Sequence, residues 1–148
     1  MKINSLEEAR QFAFETSVRG LASQDWEQCA RNGDECQWNL GKPGFHCALG
    51  WLIPWPNQQN CTQGNPGLIQ DIAGNWNSNP AYSNRGKLIP ELREWVEFCS
   101  DSDRIEFFDF LRALQQAHDC SSGKESMKQS FLRGEKITGV TWPEDVSR

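Results

Sequence analysis

Apolar residues recur with a helical period in several stretches of this chain. Leu6, Ala9 and Ala13 share one face, with Phe12 beside them. Ser5 precedes that run and Glu8 follows three residues later, a capping box that marks a helix start. Gly20 is the expected stop. Leu92, Trp95, Val96 and Cys99 lie at i, i+3, i+4 and i+7, and Pro90 suits the first turn ahead of them. Asp103 with Glu106 opens a further helix that puts Phe107, Phe110, Leu111, Leu114 and His118 on one face. A last helix is expected over 124–133 with Met127 and Phe131 inward. The tail from Gly134 carries Ile137, Val140 and Trp142, which predicts an extended arm docked over 134–148.

The middle of the chain reads differently. Residues 24–35 are polar, with a turn at Asn32-Gly33-Asp34. Gly41-Lys42-Pro43-Gly44 is turn chemistry between two short strand-like pieces, which predicts a β-hairpin. The apolar run Ala48–Ile53 after Cys47 predicts a short buried helix stopped by Pro54. Residues 54–87 are rich in Asn, Gln, Gly and Pro, with Trp55 and Trp76 embedded. Loops of that length inside a domain are uncommon and often functional. The tryptophans either pin the loop to the core or form a binding face. The pattern therefore predicts an α+β, mainly helical class: one compact domain over 1–148, with a short β-hairpin and a long polar loop.

Composition narrows the class. The chain has 148 residues, 37% of them hydrophobic and 24% charged, which is ample for one core. No apolar run approaches the roughly 20 residues of a membrane span. A net charge of -5 argues against nucleic acid as the main partner. The first residues show no apolar h-region, so a cytoplasmic location is expected. The six cysteines are then expected as thiols, metal ligands or a catalytic group rather than a disulfide framework. Asn60-Cys61-Thr62 matches a glycosylation sequon and is read as chance in that compartment.

Candidate chemistry centres on Cys47 and His118. A cysteine opening a helix sits against unpaired amides, which favour thiolate and suit a nucleophile. The alternative is a small buried hydrophobe. His118 projects from an apolar helix face near its C-terminal end. It can be a general base, a metal ligand or a core residue bonded to a carbonyl. Asp119 is next in sequence and, like Asn39, is a candidate to orient it. Cys36, Cys47 and His118, with Cys120, His46 or Asp119 as a fourth, have ligand chemistry for zinc, although the Cys36–Cys47 spacing is not that of short zinc knuckles. The same two cysteines, brought together by a hairpin, can form a redox-labile pair. All three site residues are expected to lie close together. No phosphate-binding glycine loop, serine elbow or His-Glu-x-x-His motif occurs.

Two segments resemble a known family. Cys36-Gln-Trp, a turn, and Phe45-His46-Cys47-Ala48-Leu49-Gly50-Trp51-Leu52-Ile53-Pro54 are followed much later by Leu114-Gln115-Gln116-Ala117-His118-Asp119. These are similar to motifs of small uncharacterised proteins of phages and bacterial genomes: Cys-Ala-Val-Gly-x-Leu-Ile-Pro-Asp and Leu-Gln-x-x-His-Asp. Tyr82 and Gly86-Lys87 match a further Tyr and Gly, with Arg85 where that family has Glu. Trp55 stands where it has Asp. The resemblance covers roughly 5–53 and 82–132, so 54–81 reads as an insertion. It implies a phage or prophage context in a bacterial host cell and no particular activity.

These readings give three expectations of function. The first is a small acidic accessory protein that binds and modulates a host protein, such as a defence component, through Trp55, Trp76, Tyr82 and Arg85, without a cofactor. The second is a thiol-dependent hydrolase or transferase with Cys47 as nucleophile, His118 as base and Asp119 behind it. The third is a zinc-stabilised module. Oligomeric state is left open.

Overall fold

A computed structural model describes residues 2–27, 47–53, 88–134 and 137–148, and the backbone of 31–32 and 35–36. Its helices are α1 (Leu6–Ser23), α2 (Pro90–Phe98), α3 (Asp101–Asp119) and α4 (Lys124–Arg133), with one 3-10 turn at Leu49–Leu52.

The helix ends show why these segments fold as they do. Ser5 Oγ accepts from Glu8 N, and Glu8 Oε2 accepts from Asn4 N, so two amides that a helix start leaves orphaned are satisfied. Pro90 sits in the first turn of α2. Ser100 Oγ accepts from Asp103 N, which starts α3 at Asp101, two residues before the expected Asp103. Gly134 ends α4 in the left-handed region at φ 59°, where a side chain would be strained.

α1 does not stop at Gly20. It runs on to Ser23, because Gly20 serves close approach instead: a Cβ there would fall inside the Trp51 indole. The helix ends in a turn with Asp25 and Trp26 both at positive φ, 55° and 59°. Non-glycine residues adopt that region at a cost that tertiary contacts must offset. Here the Trp26 amide donates to Leu21 O at 2.8 Å, and the Trp26 ring stacks on Trp142 at 5.8 Å.

α1 packs against α3, the 3-10 turn and α2, and α3 packs against α4. The core between them contains Ala13, Val18 and Leu21 of α1, Leu49 and Leu52, Leu92 and Val96 of α2, Phe107 and Leu114 of α3, and Met127 of α4. Trp95 meets Phe107 edge-on at 5.1 Å. Cys99, placed on that face by its spacing, is the half-exposed cap of α2.

The expected mainly helical character holds, but the α+β assignment with a β-hairpin is corrected to a helical fold. Extended pairing among the described residues is confined to Arg31–Asn32 against Glu35–Cys36, too short for a sheet layer. The segment from Cys47 enters the 3-10 turn directly. It lies between α1 and α3, where its polar groups bond helix side chains instead of a neighbouring strand. The 41–44 turn lies outside the described residues, as does the 54–81 insertion. The described chain leaves the core at Ile53 and re-enters at Leu88, each 1% exposed, and Ile89 N donates to Leu52 O at 2.9 Å. The ends of the long segment are therefore adjacent.

The described tail, 137–148, packs against α1. Ile137 is 1% exposed. The Gln11 side-chain amide donates to Thr141 O and accepts from Thr141 N, both at 2.9 Å, and so imitates a strand partner. Arg19 holds Asp145 by a forked pair at 3.0–3.1 Å. That guanidinium lowers the Asp145 carboxyl below its ordinary 3.8.

Two outcomes follow from this packing. Trp95→Ala should cost about 3–5 kcal/mol in urea unfolding, the range for emptying a large buried aromatic site. A depressed carboxyl pKa contributes stability above the unfolded value that is lost as pH falls through the folded one. Acidification below about pH 4 should therefore loosen the tail, seen as loss of the Trp26–Trp142 near-ultraviolet dichroism. Asp145→Asn should weaken that signal already at neutral pH.

Candidate functional site

The two motif segments meet in the core. Cys47 enters the 3-10 turn, and Ala48, Leu49 and Leu52 are wholly buried with it. Such a turn leaves its first amides without partners of its own. Leu49 N finds one across the fold: it donates to Gln115 Oε1 of α3 at 3.1 Å. On the other side of the segment, Ser17 Oγ of α1 donates to Ala48 O at 2.9 Å. Trp51 Nε1 donates to Gln24 Oε1 at 3.0 Å, just beyond the end of α1. The segment is thus held by side chains from α1, its C-terminal cap and α3.

The bridge continues through Gln115. Its Nε2 donates to Asp119 Oδ1 at 2.9 Å, one helical turn on. The same oxygen lies 2.9 Å from His118 Nδ1. A carboxylate only accepts, so Nδ1 is the donor of this bond. His118 is fully buried, while Asp119 is about 30% exposed and reaches solvent. The order Leu49–Gln115–Asp119–His118 runs from one motif to the other. Adjacent helix residues diverge by about 100°, yet the short Asp119 side chain turns back onto the His118 ring.

The predicted site residues fall into two groups. Cys47, His118 and Asp119 are placed by the fold around the contact between the 3-10 turn and α3, with Cys47 and His118 both 0% exposed. The side chain of Cys36, and His46, Asn39, Trp55, Trp76, Tyr82 and Arg85, lie outside the described residues. Cys120 is exposed at the end of α3. Among the described residues, no three His, Cys, Asp or Glu side chains gather to hold a metal. Again among the described residues, no helix is long and apolar enough to cross a membrane.

Gln115 and Ser17 carry this arrangement and were not singled out from the sequence. Gln115 stands inside the Leu-Gln-x-x-His-Asp motif, and a glutamine between Leu114 and His118 on a buried face was a usable signal. Ser17, buried on the inner face of α1, offered a weaker one.

Comparison with protein-family models, with curated proteins and with solved structures finds no match.

Gln115→Leu fills the same space but strands the buried Leu49 amide and takes a donor from Asp119. Unfolding in urea should show a loss of about 1–3 kcal/mol, the cost of an unsatisfied buried polar group. A loss below about 0.5 kcal/mol would mean that the Leu49 amide finds another partner.

Proposed function

We propose that this protein acts by binding another protein, and that Cys47, His118 and Asp119 form part of its architecture. The observation that carries this reading is how the polar groups at the motif contact are spent. Gln115 joins the Leu49 amide to Asp119, Asp119 holds His118, and Cys47 and His118 are both fully buried. Buried polar networks of this kind specify one packing of a core. Two concavities on the described surface lie elsewhere, one along α2 and one beside Arg19 and Trp26. The phage or prophage setting, the bacterial cytoplasm and a host protein as the target belong to this proposal, and the two sequence motifs are their support.

One observation favours a second reading. His118 Nδ1 lies 2.9 Å from Asp119 Oδ1, the orientation in which a carboxylate holds the ring of a catalytic base. Cys47 would be the nucleophile of a thiol-dependent hydrolase or transferase.

Alkylation separates the two. Iodoacetamide near neutral pH should modify exposed Cys120 quickly and Cys47 slowly in the folded chain, read peptide by peptide in a mass spectrometer. Affinity capture from a bacterial lysate should give one stoichiometric partner with both the unaltered chain and Cys47→Ala. Fast modification of Cys47 that His118→Ala slows would make the thiol enzyme the better reading. Capture of no stoichiometric partner would remove the binding reading.

A further inference from the structure

A groove runs along α2 on the side away from the motif contact. Glu91, Glu94 and Phe98 follow one another at i, i+3 and i+7 and form its outer wall. Lys2–Asn4 and Asp103 in the first turn of α3 also line it. Trp95 and Ile3 supply apolar surface, and the volume of this open groove is about 340 Å³.

Phe98 is 82% exposed, the most exposed of the large hydrophobic side chains described. It does not owe this to a frayed helix end. Arg104, itself 7% exposed, donates from Nε to Val96 O and from Nη2 to Cys99 O, both at 3.0 Å, and also pairs with Asp101. The guanidinium thus caps the last carbonyls of α2 and holds the corner into α3 in one geometry. A rigid corner keeps an aromatic ring in water beside three carboxylates and, among the described lining residues, one ammonium, that of Lys2. Exposed aromatic surface rimmed by charge marks interaction sites.

We propose that this groove binds a basic, apolar-anchored peptide segment of the partner protein. One aliphatic or aromatic side chain of that segment lies between Trp95 and Phe98, and flanking lysine or arginine side chains reach Glu91, Glu94 and Asp103. The proposal rests on the binding reading above and assigns it a surface and a ligand chemistry. Charge selects this occupant. A second copy of a chain of net charge -5 would set carboxylates against carboxylates, and an anionic lipid surface would be repelled in the same way.

The test uses the whole chain and a fluorescent peptide of alternating lysine and leucine. Anisotropy should show saturable binding that Phe98→Ser and Glu94→Lys each weaken by about tenfold or more. Both positions are exposed, so the variants should keep the unfolding profile of the parent chain. Bound peptide should also slow alkylation of Cys99, which lines the groove. That reaction is run at mildly alkaline pH, because burial pushes the Cys99 thiol up. The proposal is overturned by equal binding of a glutamate-leucine peptide, or by affinity unchanged in both variants. Concentration-dependent dimerisation that Phe98→Ser abolishes would overturn it too, by making this face a contact between copies. If Phe98→Ser captures the lysate partner as well as the parent chain does, the groove is wrong and the binding reading stands. If neither captures a partner, the binding reading itself fails.

Discussion

The hydrogen bond from the Leu49 amide to Gln115 is the constraint on which this fold turns. A 3-10 turn buried between helices presents amides that neither water nor its own backbone satisfies. Without Gln115, the apolar run 48–53 could not sit where it does except at the cost of an unpaired amide in the core. With it, the run is anchored to α3, and Ser17 ties its other side to α1. The bond also positions the rest of the network, because the Gln115 amide that accepts from Leu49 donates to the carboxylate facing His118.

Packing around the anchored turn explains several details that look unrelated. Gly20 is glycine because the Trp51 ring occupies the space of its side chain. Gln24 caps α1 and also holds the Trp51 indole nitrogen. Beyond it, two residues in the left-handed region swing Trp26 under the tail, where Phe14, Phe131 and Trp142 complete an aromatic cluster. Among its described residues the tail forms no helix or strand. It is held by the Gln11 amide, the Arg19 fork and this cluster, so its order depends on α1 being in place.

The molecule separates buried polar chemistry from exposed apolar surface. The first is concentrated where the two motifs touch, and its groups are largely engaged with one another. The second lies along α2, where Arg104 fixes a corner and Phe98 stands in water among carboxylates. A group committed to holding the core gives up freedom to meet a ligand, whereas Phe98 has apolar surface still to bury.

Local rules determined most of the helices. The Ser5 cap, Pro90, the i, i+3, i+4 periods and Gly134 each act within a few residues, so the helix at 124–133 and the faces of Leu92, Trp95 and Phe107 were legible directly. The burial of Cys47 and of His118 was also legible in part, since free cysteine is a commonly buried residue and His118 lies on an apolar helix face. The mainly helical character was legible too, but the hairpin reading rested on turn residues, which say nothing about what packs beside a segment. Only the tertiary structure set the run from Cys47 to Leu52 against α1 and α3. Gly20 misled for the same reason: its local meaning is a helix stop, but a ring from residue 51 gave it another. The bond between Leu49 and Gln115 spans 66 residues, and no periodicity carries information over that distance. Whether a buried amide finds its acceptor is decided by the packing of elements against one another, after each has formed on its own terms.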